Sequence, residues 1–202
     1  PPPLNLARLH EVEPDEDLVA DLDASPGPLI LVVGQILAHK RPELAVDALH
    51  LLNVNHAPEA RMVLAGVLTS PAWSSALVRH VESLKLSTAR VMGAVSDAQL
   101  AALYRRADLL LVPSEHEGFC VPVVEAFSFD VPVVTRAFGA IPETAGGAAL
   151  VLPCDAGPAD MAEAMARVLR DEGVRAEMRR RGRARVQKLS APVTLRSSVA
   201  AL

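Results

Sequence analysis

Two glutamates separated by seven residues stand in a segment whose residue types could bind an anion together with hydroxyl groups. Residues 113–126 read PSEHEGFCVPVVEA. Gly118 allows a sharp turn of the backbone, which would leave the amides of Phe119 and Cys120 free for an anion. The carboxylate of Glu117 lies directly before these amides.

The second glutamate follows a proline that suits the first turn of a helix. Pro122 therefore predicts that Glu125 lies near the helix start and its free amides. A carboxylate there can accept hydrogen bonds from a ribose diol, and Glu117 could hold a second hydroxylated ring. Amides for a phosphate, flanked by two carboxylates for hydroxyl groups, would suit a nucleotide-sugar. The alternative is that both glutamates only stabilise the positive end of the helix dipole.

A second group of polar residues follows the first apolar run of the chain. It comprises Gly34, Gln35 and the cations His39, Lys40 and Arg41, with Pro42 next. The three cations would lie at a helix N-terminus, where positive charge is mildly unfavourable, so their clustering favours a bound anion. An exposed basic loop without a ligand is the alternative.

Two further loops give weaker signals. Gly66 follows an apolar run, and a tight turn is the commoner reason for such a glycine. Ser96 and Gln99 have the spacing of a helix capping box, which explains Ser96 without a ligand. The backbone from Gly93 to Val95 could still face a ring system.

Neither nucleophilic nor metal chemistry suits these loops. Cys120 and His116 lack a third group to orient a Cys–His pair, so we expect Cys120 to be a small packed residue. Glu115, His116 and Glu117 are adjacent, and adjacent residues rarely converge on one ion. These residues therefore favour neither a thiol nucleophile nor a metal site.

Short apolar runs and helical periods alternate between these loops. The runs sized for buried strands are Leu29–Val33, Arg61–Ala65, Arg90–Met92, Asp108–Val112, Val131–Thr135 and Ala149–Leu152. Helical periods cover Glu43–Leu52, Ala72–Leu86, Asp97–Arg106, Val121–Ser128, Asp160–Arg170 and Val174–Leu189. This alternation predicts an α/β fold: a Rossmann-like, doubly wound parallel sheet of about six strands with helices on both faces. Such sheets bind ligands at the carboxyl ends of their strands, where the loops described above lie.

The composition of the 202 residues limits the classes of partner. Twenty Lys and Arg against 24 Asp and Glu give a net charge of -4, and only one Trp, one Tyr and four Phe are present. These numbers argue against nucleic-acid binding by bulk charge or base stacking. Two cysteines are too few for a disulfide scaffold and favour a reducing compartment, the cytoplasm. No apolar run reaches the roughly 18 residues that span a bilayer.

Residues 1–28 differ from the rest of the chain. They open with three prolines and place seven acids between Glu11 and Asp23. A self-repelling acidic stretch that ends in Ser25-Pro26-Gly27-Pro28 predicts a solvated connection, with a short helix over Pro14–Leu22 as an option. We expect residues 1–28 to be an interdomain connection, residues 29–202 to form the ligand-binding domain, and the chain to be a piece of a longer protein.

The segment 113–126 resembles the signature of retaining glycosyltransferases of the GT-B fold, family 4 (group 1), whose hallmark is the paired Glu. Further matches follow in the same order: Val33-Gly34 with Lys40, Leu64-Ala65-Gly66, Gly93-Ala94-Val95-Ser96-Asp97, Tyr104-Arg105-Arg106-Ala107-Asp108, Val131-Pro132-Val133-Val134 and Pro142-Glu143-Thr144. The similarity runs from about Pro3 to Leu189. The chain is thus similar to the donor-binding C-terminal half of a GT-B enzyme.

The resemblance implies roles for individual residues and a GDP- or UDP-sugar as donor. The implied donor-binding residues are Gly34, Gln35, Lys40, Val95, Leu100, Glu117, Gly118, Phe119, Cys120 and Glu125. Lys40 would pair with the diphosphate and Glu117 with hydroxyls of the transferred sugar, which makes these two the catalytic candidates. Glu125 would take the ribose hydroxyls, and Val95 and Leu100 would line the base. Transfer would retain the anomeric configuration and need no metal and no cofactor, since the nucleotide-sugar is a substrate.

Two departures from the family pattern bear on activity. Gln35 stands where family members commonly carry Arg, which weakens phosphate neutralisation unless Arg41 compensates. These enzymes also use an N-terminal acceptor domain, which we expect this chain to lack. The chain would then bind a donor but be inactive by itself.

Seven cations lie between Arg175 and Lys188. They predict either a solvated outer helix or a stripe that contacts anionic lipid at the inner face of the membrane.

Alternative functions of the chain are a nucleotide-sugar epimerase, a glycosyl phosphorylase and a non-catalytic nucleotide-binding regulatory module. A phosphorylase would need a lysine for pyridoxal phosphate, and Lys40 and Lys85 are poor candidates.

Overall fold

Six strands pair in one parallel sheet in the computed structural model, which describes residues 4–190. The strands are β1 (Leu29–Val33), β2 (Arg61–Ala65), β3 (Ala89–Gly93), β4 (Leu109–Val112), β5 (Val133–Arg136) and β6 (Leu150–Leu152). The helices are α1 (Ala7–Glu11), α2 (Glu16–Ala24), α3 (Pro42–Asn55), α4 (Pro71–Ser83), α5 (Asp97–Arg106), α6 (Val121–Ser128), α7 (Ile141–Ala145), α8 (Pro158–Arg170) and α9 (Glu172–Ser190).

The strand order is β3-β2-β1-β4-β5-β6, and every neighbouring pair is parallel. The centre of the sheet is set by β1, in which Leu31 pairs with Val63 of β2 on one side and with Leu110 of β4 on the other. This architecture confirms the predicted α/β class with a doubly wound parallel sheet of six strands.

Helices bury both faces of the sheet, which is why the strands are almost continuously apolar. Successive residues of β1 point to opposite faces. Ile30 and Val32 face a core layer built with α3, α4 and α8. Leu29 and Leu31 face a second layer, built with α1, α2, α5, α6 and α7. The candidate segment 113–126 continues into α6 and therefore belongs to the second layer.

The acidic N-terminal segment packs on this second layer. Leu9 of α1 and Leu18 and Leu22 of α2 are buried, and both helices lie against α5. The interpretation of the segment as a solvated connection is therefore wrong for these residues. Its acids lie on exposed helix faces, while leucines at helical spacing face the core. That the segment also links to a preceding domain stays a prediction.

Local backbone chemistry explains where the observed elements depart from the predicted ones. The fifth strand begins at Val133 and not at Val131, because Pro132 has no N–H to donate to a strand ladder. Helix α4 ends at Ser83, close to Lys85, whose φ of 54° cannot continue a helix. Helix α7 has only five residues, too few to produce a helical period in the sequence.

The cations of α9 are mostly paired within the chain. Arg175 and Arg179 contact Glu172, Arg180 and Arg181 contact Glu177, and Arg183 contacts Asp130. The helix packs on α6, where Phe127 lies against the backbone at Gly182. None of the described helices is both long and apolar enough to cross a membrane.

Gly66 is required by a close approach and not only by a turn. A Cβ on this residue would lie 1.7 Å from the carbonyl oxygen of Gly34, which directly follows β1. This close approach is a reason for the glycine in addition to the expected tight turn. The glycine lets the segments after β1 and β2 lie side by side, which positions the first residues of the candidate site.

Because α2 is part of the second core layer, Leu22→Ala should destabilise the whole domain. A buried Leu→Ala substitution typically lowers the free energy of unfolding by about 2–5 kcal/mol. Val54→Ala is the matched control, since the Val54 side chain is 66% exposed and its truncation should change stability by no more than about 0.5 kcal/mol. Urea unfolding of both variants measures the difference. Equal stabilities would show that α2 is not part of the cooperative unit.

Candidate functional site

The strand order reverses between β1 and β4, and the loops after these two strands form the candidate site. From β1 the chain continues to β2 and β3, and from β4 it continues to β5 and β6. Loops that leave in opposite directions open a crevice at the carboxyl ends of the strands. The amide of Glu115 donates to the carbonyl of His39 at 2.8 Å, which joins the two loops.

An ion pair between Lys40 and Glu117 spans this crevice. A 3-10 turn, Ala38–Lys40, ends at Arg41 in a left-handed conformation with φ of 49°. Lys40 Nζ then lies 2.7 Å from Glu117 Oε1. The Glu117 side chain is only 8% exposed, so its charge needs a partner of this kind. The structure thus brings together the two residues expected to be catalytic.

The backbone of Glu117 is held by the loop that precedes α7. The amide of Ala140 donates to the carbonyl of Glu117 at 3.0 Å. Gly139 has φ of +53°, and a Cβ there would lie 2.2 Å from the same carbonyl oxygen. A larger residue at position 139 would therefore displace Glu117. Sequence reasoning did not assign a role to this glycine.

Free backbone amides lie next to Glu117, as the sequence predicts. Within residues 4–190, the amides of Gly118, Phe119 and Cys120 donate no hydrogen bond. Cys120 is the N-cap of α6 and has a left-handed φ of 61°, and its side chain caps no amide. A helix start with unfilled donors favours a negatively charged ligand. A Cβ built on Gly118 would meet no atom within 4 Å, so a ligand can approach there.

Cys120 is a buried thiol, as expected. Its burial, followed by the neighbouring Glu117 carboxylate, raises the pKa of the thiol to about 12. A thiol with such a pKa is a poor nucleophile at neutral pH. The side chain is therefore a packing residue. The group of Cys120 that is available to a ligand is its backbone amide.

Glu125 lies in the second turn of α6 and makes contacts other than those predicted. The hydroxyl of Tyr104 donates to its Oε2 at 3.0 Å, and Arg8 Nη2 lies 3.4 Å from its Oε1. The partners are therefore side chains of α5 and α1 and not the free amides at the helix start. Burial raises the pKa of Glu125, against the opposing effects of Tyr104 and Arg8.

The cations near Gln35 are already paired. Arg41 contacts both Glu43 and Glu115, and Arg136 lies 3.6 Å from Glu115. The suggestion that Arg41 replaces the missing charge at position 35 is not supported by these contacts. The Gln35 side chain itself is exposed at the crevice.

The remaining expected donor-binding residues lie at the same edge of the sheet. Gly34 has φ of +145°, and a Cβ there would meet nothing within 4 Å, which leaves open space above it. Val95 follows β3 and Leu100 belongs to α5, and both are half-buried against the second core layer. The capping box of Ser96 and Gln99 forms with hydrogen bonds of 3.2 and 3.1 Å, as the sequence predicts.

Arg136 is a buried cation that sequence reasoning missed. At the end of β5, its Nε and Nη2 donate to the carbonyl of Pro113 at 3.0 and 2.6 Å, and its Nη1 donates to the carbonyl of Cys154 at 3.1 Å. The guanidinium also lies over the ring of Phe138. Arg136 therefore holds the start of the loop that carries Glu117. The sequence feature that could have revealed it is a single Arg directly after three strand-forming residues, Val133 to Thr135.

Metal-binding groups are sparse in the part of the chain that the structure describes. No three or more His, Cys, Asp or Glu side chains there could hold a metal ion together. The rings of His39 and His116 meet edge to face, with centroids 6.3 Å apart, across the two loops.

The amino-acid sequence of residues 16–185 matches the family model of glycosyl transferases group 1. The chain belongs to this family. The match includes the β1 loop, the segment 113–126 and α2, so the acidic N-terminal helix is part of the family domain as well as of the fold.

Relatives in sequence and in structure extend the comparison. D-inositol 3-phosphate glycosyltransferase of Mycobacterium leprae is 35% identical over 120 residues, which cover 57% of this chain and 27% of that protein. The C-terminal domain of a glycosyl transferase group 1 family protein, LpcC, from Francisella tularensis superposes with a TM-score of 0.73 at 19% identity, over 89% of this chain and 96% of that one.

Anabaena HepE, solved in complex with UDP-glucose, has a TM-score of 0.75 at 17% identity over 89% of this chain and 50% of HepE. These structural likenesses establish the fold, a Rossmann-like sheet as in GT-B C-terminal domains. The chain matches about a quarter of the Mycobacterium leprae relative and half of HepE.

The two thiols of this group 1 glycosyltransferase should differ in reactivity with alkylating reagents. Cys154 is exposed, whereas Cys120 is buried and has a pKa of about 12. At pH 8, mass spectrometry after iodoacetamide treatment should find Cys154 modified and Cys120 intact, because the thiolate is the reacting form. In urea both should react. Equal modification of the folded chain would contradict the burial of Cys120 and with it the position of the Glu117 loop.

Proposed function

We propose that this chain is the nucleotide-sugar-binding domain of a retaining glycosyltransferase that uses a GDP- or UDP-sugar. The observation that carries the proposal is the Lys40–Glu117 ion pair beside the unfilled amides of residues 118–120. A cation and free amides suit a diphosphate, and a carboxylate beside them suits the hydroxyls of the attached sugar.

The diphosphate would bind between the two loops. Lys40 is the candidate cation, because Arg41 and Arg136 are engaged with Glu115. The amides of Gly118 to Cys120, at the N-terminus of α6, would donate hydrogen bonds to the phosphate oxygens and stabilise the leaving-group charge that develops during transfer. No metal enters this proposal.

The two glutamates would hold different parts of the donor. Glu117 is next to the amides and would accept hydrogen bonds from the transferred sugar once Lys40 turns to the phosphate. Glu125 lies one helical turn after the start of α6 and contacts Arg8 of α1 and Tyr104 of α5. It would take the ribose hydroxyls, with Val95 and Leu100 beside the base.

Relatives support the substrate class. HepE binds UDP-glucose on the same fold, and the Mycobacterium leprae relative is a glycosyltransferase. We extend the proposal to an N-terminal acceptor domain as partner, to transfer with retention of configuration, and to inactivity of the 202-residue chain by itself. Cytoplasmic location and contact of α9 with anionic lipid stay predictions, and the internal pairing of most α9 cations makes the lipid contact weaker.

Lys40→Met should weaken binding of UDP or GDP. A charged hydrogen bond of about 1.5–3 kcal/mol, equivalent to about a 10- to 150-fold rise in Kd, is the upper limit of the effect, because Lys40 gives up its bond to Glu117 when it binds the phosphate. The loss should be larger at low salt than at high salt, because ions screen the lysine–phosphate attraction. Isothermal titration at two ionic strengths measures both effects. Lys188→Met, which removes one lysine charge from exposed α9, is the control, and an equal effect of both variants would contradict a local role for Lys40.

Glu125→Gln and Glu117→Gln should separate nucleotide binding from sugar binding. Glu125→Gln should weaken a plain nucleoside diphosphate and its sugar conjugate alike, since both contain ribose. Glu117→Gln should raise the Kd for the sugar conjugate by about 10- to 150-fold. It should leave the Kd for the plain diphosphate unchanged or lower. Titration of each variant with UDP, GDP, ADP and their glucose conjugates gives the comparison. If Glu117→Gln weakened the plain diphosphate as much as Glu125→Gln did, the assignment of the two carboxylates would be wrong.

A further inference from the structure

Arg8 lies between two carboxylates at the nucleoside end of the proposed site. Its Nη1 pairs with Asp97, the first residue of α5, and its Nη2 lies 3.4 Å from Glu125 of α6. Arg8 belongs to α1, which is fixed to the second core layer by the buried side chain of Leu9. A residue from the segment that precedes the sheet therefore reaches a proposed ligand-binding carboxylate.

Tyr104 completes the surroundings of this carboxylate. Its hydroxyl donates to Oε2 of Glu125, while Arg8 faces Oε1. Each oxygen thus has one donor, from two different helices, and the residue is 7% exposed. An ionised carboxylate accepts about four hydrogen bonds. Capacity for about two more donors remains, which matches the two hydroxyls of a ribose diol.

Charge gives Arg8 a role beyond packing. Burial raises the pKa of Glu125, and Asp97 raises it further, whereas Tyr104 and Arg8 lower it. Without Arg8, Asp97 and Glu125 would face each other without a cation. His10, the other titratable side chain of α1 near α6, contacts Ser128 and stacks on Phe129. It is one of the groups that must be controlled for in a pH experiment.

We infer that Arg8 is a positioning residue for the nucleoside end of the donor site: it holds the Glu125 carboxylate in an orientation that can accept both ribose hydroxyls. This inference rests on the proposed function. It makes the acidic N-terminal segment a contributor to ligand recognition and not only a connection.

The test compares UDP with 2′-deoxy-UDP, because the two differ by one of the hydroxyls that Glu125 would accept. Isothermal titration is performed on the full 202-residue chain and on Arg8→Met, at pH 6 and pH 8. Arg8→Met should raise the Kd for UDP by about two- to fivefold at pH 8, as expected for loss of a partly exposed ion pair. It should also reduce the preference for UDP over the deoxy compound. The loss should be greater at pH 6, because the pKa of Glu125 rises in the variant and more of the carboxyl is protonated at the lower pH.

Two further variants distinguish positioning from structural support. Arg8→Lys should recover part of the UDP preference, since it keeps the charge. Arg105→Met is the matched control, because Arg105 also binds the N-terminal segment to α5, through the carbonyl of Val12 at 3.3 Å, without a contact to Glu125. It should leave UDP affinity within twofold. His10→Gln should leave the difference between pH 6 and pH 8 unchanged from the wild type.

The outcomes separate this inference from the proposed function. If the wild type binds UDP or GDP but Arg8→Met binds UDP equally well, the inference is wrong and the proposed function stands. Tighter binding by Arg8→Met also overturns it, and would mean that Arg8 occupies the ribose position. An equal loss in Arg105→Met reduces Arg8 to structural support. Absence of any nucleotide binding by the wild type overturns the proposed function and this inference with it.

Discussion

The ion pair between Lys40 and Glu117 is the interaction around which the rest of the crevice is arranged. It joins the loops after β1 and β4, the two strands at which the order of the sheet reverses. Burying the Glu117 carboxylate, which is only 8% exposed, costs free energy unless a cation lies beside it. The pair therefore favours loop conformations that keep Lys40 next to Glu117. The hydrogen bond from Glu115 to the carbonyl of His39 holds the same two loops by their backbones.

Further contacts behind the pair hold the neighbouring loops. Arg136 donates to the carbonyl of Pro113 and lies close to Glu115, which also contacts Arg41. Gly139 allows the chain before α7 to approach the carbonyl of Glu117. Burying polar side chains such as Arg136 costs free energy. The apolar burial in the two core layers offsets that cost. The contacts of Arg136 and Gly139 hold the loop on both sides of residues 118–120, so that their amides are positioned without a ligand.

The sequence predicted the sheet, its six strands and most helices because burial on two faces leaves continuous apolar runs that are easily recognised. It indicated separate ligand-binding roles for Lys40 and Glu117 but not their ion pair, since residues 77 positions apart reveal no contact in the sequence. Arg136 and Arg8 were not predicted, because a charged side chain has no period that reveals its partner. The prediction for the acidic segment before β1 was wrong for a related reason: its charge dominated the pattern, while Leu9 of α1 and two leucines four positions apart in α2, Leu18 and Leu22, determined its packing.

The pairing of Lys40 with Glu117 also bears on which ligand this site would prefer. Under the proposed function, a diphosphate must draw Lys40 away from Glu117, so the net gain is a difference between two sets of charged hydrogen bonds. A plain diphosphate would leave Glu117 buried without its cation, which is unfavourable. An intact nucleotide-sugar supplies sugar hydroxyls to the same carboxylate and removes that penalty. The ion pair would therefore act against the nucleotide alone, and after transfer of the sugar it would re-form as the product leaves.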